Sequence, residues 1–287
     1  MTLPTFFIIG AAKAGTTSLH YYLDQHPEIG MSSDKEPNFF SGPPNGIPYP
    51  LGRVDSLSAY ERLFDPAFPA RGEASVGYAN SPRRHGVPER IEELVPEAKF
   101  IYVVRDPVAR TVSHYRHRVA AEGERRAMPE ALADLSDPYS VYLCPSFYAR
   151  QLELYLRHFP SERILVLDHA DLLAEREATL RKVFSFLAVD ETFTSAQFDD
   201  ELYRGEERRM HPPAYSRLMA SIEASPLRRL PRGFRRSLRG SFERVLWRPA
   251  PKPVLDDELR ARLEDLFADE VERLRGLTGK AFASWSV

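Results

Sequence analysis

The sequence is poor in cysteine, in lysine and in long apolar runs. Its one cysteine, Cys144, excludes an intrachain disulfide framework and a multi-cysteine zinc site. Its expected role is a small, buried apolar residue. No stretch approaches the roughly eighteen uninterrupted apolar residues of a membrane-spanning helix. Only six basic residues are lysine (Lys13, Lys35, Lys99, Lys182, Lys252 and Lys280), against 33 arginines, so each lysine needs a reason. Charge of one sign is also missing. The net charge of −2 argues against indiscriminate nucleic-acid binding, and no nucleic-acid partner is expected.

What is present is a globular composition, 43% hydrophobic and 28% charged, in a chain of 287 residues that can bury a large core without staples. Apolar runs at Phe6 to Ile9, Lys99 to Val104 and Ile164 to Leu167 read as buried strands. Helical spacing at Thr17 to Gln25, Pro107 to Arg118 and Phe147 to Phe159 alternates with them. This order implies a single α/β domain over residues 1–287, with a central parallel sheet flanked by helices. Residues 32–81, rich in Pro, Gly, Asn and Ser, read as long loops. Residues 203–248 are basic and broken by prolines. Residues 256–277 carry an amphipathic helical stripe. The apolar N-terminus runs straight into a glycine loop, so it reads as a first strand and not a signal peptide. A soluble, cytoplasmic setting is the default expectation.

Two elements carry the chemistry. The first is Gly10-Ala11-Ala12-Lys13-Ala14-Gly15-Thr16-Thr17-Ser18, between a strand and a helix. A nucleoside-triphosphate loop would place lysine directly after the second glycine. Here Thr16 stands there, yet the physical logic of a phosphate site survives. Ala14 and Gly15 let an anion approach the backbone, while Thr16, Thr17 and Ser18 offer N–H groups and hydroxyls at a helix start. Lys13 adds a mobile point charge. The second element is Arg105-Asp106-Pro107 through Tyr115, at the carboxyl end of a strand. Arg105 and Ser113 could converge there on a second anionic group. Two anion sites on one sheet point to a ligand with two phosphate-like groups.

This pair of elements resembles that of sulfotransferases using 3′-phosphoadenosine 5′-phosphosulfate. Lys13-Ala14-Gly15-Thr16-Thr17 is similar to the family's K-x-G-T-T loop, and Arg105 through Tyr115 to its R-D-P-x-x-R-x-x-S-x-Y element. Lys35-Glu36-Pro37-Asn38-Phe39-Phe40 resembles the K-E-x-x-F-F segment of the heparan-sulfate type, and Gly72-Glu73-Ala74-Ser75 its G-E-K-[ST] segment. The resemblance implies a P-loop-like fold and in-line sulfuryl transfer to a hydroxyl, less readily an amine, of a carbohydrate, glycolipid or secondary metabolite. No metal is implied. It makes Lys13 the residue that stabilises the departing phosphate oxygen and Glu36 the general base, with His20, His26 and His114 as competing bases. Glu73 and Ser75 would line the acceptor cleft, Phe39 and Phe40 would wall it or plug the core, and Arg208 and Arg209 would close over the nucleotide. Peripheral membrane contact through the basic segment remains open. The sequence departs from the pattern at Ala74, where heparan-type members have lysine, which weakens the case for a highly sulfated polysaccharide acceptor.

Two other readings compete. A small-molecule kinase would use Asp168, at the end of Ile164 to Leu167, to hold magnesium. A non-catalytic adenosine-bisphosphate binder would be built around the last helix, and the presence of both Lys13 and Glu36 argues against it.

Overall fold

The computed structural model describes residues 1–42, 54, 56–200 and 255–287. It also describes the backbone of a two-stranded antiparallel ladder pairing Arg209–Met210 with Arg248–Pro249. Arg208, the Arg209 side chain and most of the 203–248 segment lie outside the described residues.

Five strands form one parallel sheet: β1 (Phe6–Gly10), β2 (Ile29–Met31), β3 (Ala70–Ala74), β4 (Lys99–Val104) and β5 (Ile164–Asp168). Their order is β2-β3-β1-β4-β5. The fold is therefore the α/β sheet flanked by helices that the strand–helix alternation implies. After β1 the chain crosses toward β2, and after β4 it crosses the other way toward β5. The carboxyl ends of β1 and β4 thus flank the topological switch point, where open α/β sheets bind ligands.

Strand β3 falls inside the stretch expected to be loop, residues 32–81, and β2 ends just before it. The reason lies in β3, whose residues Ala-Arg-Gly-Glu-Ala show neither an apolar run nor clean alternation. It is nevertheless an interior strand, packed too tightly for larger residues. A Cβ on Gly72 would stand 2.1 Å from the Phe6 ring, so only glycine fits.

The chain divides into two compact units. The first comprises Met1–Thr111, Asp134–Leu202 and Asp257–Val287 and contains the whole sheet; the second comprises Val112–Ala133 and Tyr203–Asp256. Along the chain run α1 (Thr16–Leu23), α2 (Leu57–Glu61), α3 (Val87–Leu94), α4 (Pro107–His117), α5 (Met128–Ala131), α6 (Tyr148–Leu156), α7 (His169–Ala174), α8 (Arg176–Leu187) and α9 (Asp257–Thr278). Helix α9 buries Leu259, Leu263, Phe267, Val271 and Leu274, the stripe its sequence spacing anticipates. It packs on α6: Phe267 meets Phe147 ring to ring at 5.4 Å, and Glu270 accepts from the Arg150 N–H at 2.8 Å. Burying each such apolar side chain contributes roughly 1.5–3 kcal/mol before chain entropy is counted. The tail after α9 then seats Trp285 against Tyr148. Cys144 is buried, as expected for a lone small apolar residue.

Candidate active site

The glycine loop is shaped by its backbone. The Ala11 N–H donates to the Val103 carbonyl on β4 at 2.6 Å, and the Ala14 N–H closes a turn on the Ala11 carbonyl at 3.1 Å. Gly15, at φ +93°, begins α1 with no side-chain cap. The first N–H groups of the helix, those of Thr16, Thr17 and Ser18, therefore lack the carbonyl acceptors found one turn earlier in a helix interior. They point, with the positive end of the helix dipole, beyond the sheet's carboxyl edge. Lys13 sits in the left-handed region at φ +71°, which is uncommon for a residue with a Cβ and is typical of loops held in place by their surroundings.

Those surroundings are two arginines. Arg105, at the end of β4, donates from Nη1 to the Lys13 carbonyl at 3.2 Å. Arg110, on α4, donates from Nη1 to the Ala12 carbonyl at 3.3 Å. Arg110 is fully buried, and also donates to Ser146 Oγ at 2.5 Å and to the Tyr142 carbonyl. Burial pulls its guanidinium down to about 10, which leaves it charged at neutral pH. Asp106 holds the same corner. Its Oδ1 accepts from the Ala109 N–H at 2.6 Å, capping α4, and its Oδ2 accepts from the Ser286 N–H at 2.6 Å. The structure thus brings residues 13–18 and Arg105 together, because β1 and β4 are neighbours. Ser113 lies further along α4, where the chain passes into the second unit.

The Lys35–Phe40 segment hangs on the other neighbour of β1. The Glu36 N–H donates to the Ala74 carbonyl at 3.1 Å, and the Asn38 N–H to Ser75 Oγ at 3.1 Å. Asn38 Nδ2 returns a bond to the Glu36 carbonyl at 2.8 Å. Glu36 and Asn38 both have positive φ, at +60° and +54°. The Glu36 carboxylate remains partly exposed, paired with Lys35 Nζ at 2.9 Å. Below it, Phe39 stacks on Tyr60 with ring centroids 4.3 Å apart, and Phe40 meets Phe7 of β1 at 5.8 Å. Phe40 is buried in the core beneath the segment, while Phe39 is only half-buried.

Glu73 and Ser75, expected to line an acceptor cleft, are instead fully buried. The correction follows from β3 being an interior strand. Ser75 acts through the backbone it holds at Asn38. The Glu73 carboxyl lies beside the Tyr60 and Tyr78 hydroxyls without a hydrogen bond of normal geometry to either. Burial lifts it to about 8, so it is protonated at neutral pH.

The competing bases separate by their partners. His26 is built in: Nε2 meets the Asp190 carbonyl at 2.9 Å, Nδ1 accepts from the Glu28 N–H at 3.1 Å, and Phe184 and Phe193 pack on the ring. His20 has a buried Nε2 without a partner, and burial pulls its pKa below the ordinary value, with Lys35 pushing the same way. His114 belongs to the second unit. Asp168 is occupied by structure: Oδ1 accepts from the Ala170 N–H at 3.0 Å, and Oδ2 from Trp285 Nε1 at 3.0 Å. Each oxygen thus already serves the fold, which weakens the main support for a magnesium-dependent kinase. Among the described residues no three His, Cys, Asp or Glu side chains are grouped to hold a metal ion, and no helix is long and apolar enough to cross a membrane.

Sequence reasoning missed Arg110 and His169. Arg110 was part of a motif, but nothing in its spacing marks it as buried. His169 stands directly after a strand of a parallel sheet, which is itself a signal for ligand-facing positions.

The family model described as "Sulfotransferase domain" matches residues 3–273. The chain belongs to the sulfotransferase family. Among similar proteins, a bifunctional heparan sulfate N-deacetylase/N-sulfotransferase 2 from Bos taurus is 30% identical over 210 residues, covering 65% of this chain and 22% of that protein. A heparan sulfate glucosamine 3-O-sulfotransferase 3A1 from Mus musculus is 29% identical over 204 residues, covering 68% and 48%. The chain therefore spans less than half the length of these curated relatives. A crystal structure of a sulfotransferase from Alicyclobacillus acidocaldarius superposes with a TM-score of 0.72 at 27% identity, covering 100% of both chains. Within a sulfotransferase, the β1–β4 corner and the Glu36 segment become the places to seek donor and acceptor.

Proposed function

We propose that this chain transfers a sulfuryl group from 3′-phosphoadenosine 5′-phosphosulfate to a hydroxyl group of a carbohydrate, glycolipid or secondary metabolite. The observation that carries the reading is the convergence of the uncapped α1 N-terminus, Lys13 and Arg105 at the switch point between β1 and β4. This donor set suits a nucleotide with anions at two ends: backbone N–H groups for one, a guanidinium for the other. The donor supplies an activated sulfuryl group on its 5′-phosphate.

The residues would work as follows. The N–H groups and hydroxyls of Thr16, Thr17 and Ser18, with the backbone of Ala14 and Gly15, hold the 5′ end. Arg105 and Ser113 hold the 3′-phosphate. Lys13 follows the charge that develops on the oxygen bridging phosphorus and sulfur as that bond breaks. Glu36 takes the proton from the acceptor hydroxyl as its oxygen forms the new bond to sulfur. The products are a sulfate ester, the 3′,5′-bisphosphate and the proton on Glu36. Catalysis is then mostly positioning and charge stabilisation, and no step calls on a metal. Arg208 and Arg209 complete the proposal as residues that close over the nucleotide.

The relatives named for heparan sulfate favour a glycan among the three acceptor classes. The alanine at position 74 favours one of lower charge than heparan sulfate. The test is transfer of labelled sulfate from the donor to a panel of glycans, glycolipids and phenolic alcohols. A labelled ester on any acceptor, lost in Lys13→Ala, supports the reading. No transfer to water or any acceptor, with no nucleotide binding, overturns it.

A further inference from the structure

His169 is a residue that the mechanism above does not use. It follows β5, two strands from β1 in the sheet, yet its ring reaches the glycine loop. A Cβ placed on Gly15 would stand 3.0 Å from His169 Cδ2 and 3.7 Å from Nε2. The ring therefore covers the residue that opens α1, beside the uncapped N–H groups. Asp168 anchors this approach from below through Ala170 and Trp285. Neither ring nitrogen has a hydrogen-bond partner among the described residues, and neither is a buried, unsatisfied atom. Burial, with the Arg105 charge adding to it, holds the imidazole at about 4, so the ring is neutral at physiological pH. A neutral imidazole carries one N–H that can donate without placing a third cation beside Lys13 and Arg105.

We propose that His169 is a ligand of the donor nucleotide, giving a ring N–H to the 5′ anion held over Gly15 and Thr16. This rests on the nucleotide reading of the previous subsection and adds a specific contact to it. A residue that only fills space behind Gly15 would affect loop shape and thus both ends of the nucleotide. A direct ligand of the 5′ anion affects one end.

That difference sets the experiment. His169→Phe keeps a ring and removes both nitrogens, and His169→Ala removes the ring. Calorimetry with the purified variants compares 3′-phosphoadenosine 5′-phosphate with adenosine 3′-phosphate, which lacks the 5′ anion. Losing a hydrogen bond to a charged group should weaken the bisphosphate by about 10- to 100-fold and leave the monophosphate within about twofold. Equal weakening of both ligands, or an unchanged bisphosphate, overturns the proposal. A reading that needs no variant is the ¹⁵N spectrum of the wild-type His169 ring. It should shift with the bisphosphate and not with the monophosphate, and the absence of any shift likewise overturns the proposal. Wild-type protein that binds neither ligand contradicts the nucleotide reading instead.

Discussion

The two flanks of β1 hold their functional groups by different means. On the β4 side, charged side chains brace a backbone: Arg105 and Arg110 donate to the carbonyls of Lys13 and Ala12, while the first N–H groups of α1, at Thr16, Thr17 and Ser18, have no side-chain cap. On the β3 side, neutral groups brace a charged side chain. Backbone bonds to Ala74 and Ser75, an aromatic layer of Phe39, Phe40 and Tyr60, and a protonated Glu73 lie under the partly exposed Glu36. The first arrangement suits a fixed anionic donor, because an array of backbone donors keeps its shape whatever the neighbouring side chains do. The second suits a variable acceptor, because one carboxylate on a firm platform can meet many hydroxyls.

Four substitutions test that contrast. The largest effect is expected for Glu36→Gln. Removing a general base should lower turnover by about 10²- to 10⁴-fold while bisphosphate affinity stays within about twofold. Turnover equal to wild type would strip Glu36 of the role. Lys13→Ala should lower turnover by about 10²- to 10³-fold, since one donor of transition-state charge is lost, and should also weaken the bisphosphate. A turnover defect that added acceptor restores would move Lys13 to the other flank.

Arg110→Met should act on stability first. It leaves Ser146, the Tyr142 carbonyl and the Ala12 carbonyl without their donor, and a loss of about 3 kcal/mol in urea unfolding is expected. A variant as stable as wild type would mean the brace is dispensable. The effect of Glu73→Gln depends on pH. The Glu73 carboxyl is raised in the fold from 4.5 to about 8. Between those values the folded state holds a proton that the unfolded state has released. Stability attributable to Glu73 therefore falls as pH rises, by up to about 1.4 kcal/mol per unit, and levels off above about 8. Denaturant unfolding at pH 5, 6.5 and 8 should show wild type losing ground to Glu73→Gln across that range. Parallel curves would mean that Glu73 is ionised in the fold.

The contrast also explains what could be read from the sequence. The β4 flank was legible because its parts are contiguous. An apolar run, a G-x-x-x-x-G turn and a Thr-Thr-Ser helix start occupy one stretch, and Arg105 directly ends another apolar run. Strand β3 was not legible, since Ala-Arg-Gly-Glu-Ala follows no hydrophobic period and owes its place to the Phe6–Gly72 fit and to pairing with β1. Missing β3 reversed the reading of Glu73, which was placed on a cleft and lies in the core. Arg110 and His169 show the same limit. Each meets a loop far earlier in the chain, Arg110 at Ala12 and His169 at Gly15, and no local pattern records such a contact.

The central claim is that the β1–β4 corner binds a doubly anionic adenosine nucleotide without a metal. Titration calorimetry of 3′-phosphoadenosine 5′-phosphate in the absence of magnesium, on wild type and Arg105→Ala, tests it most directly. The account predicts saturable binding to wild type and at least about tenfold weaker binding to Arg105→Ala. Binding of ATP with magnesium but not of the bisphosphate, or equal affinity in both proteins, would contradict it.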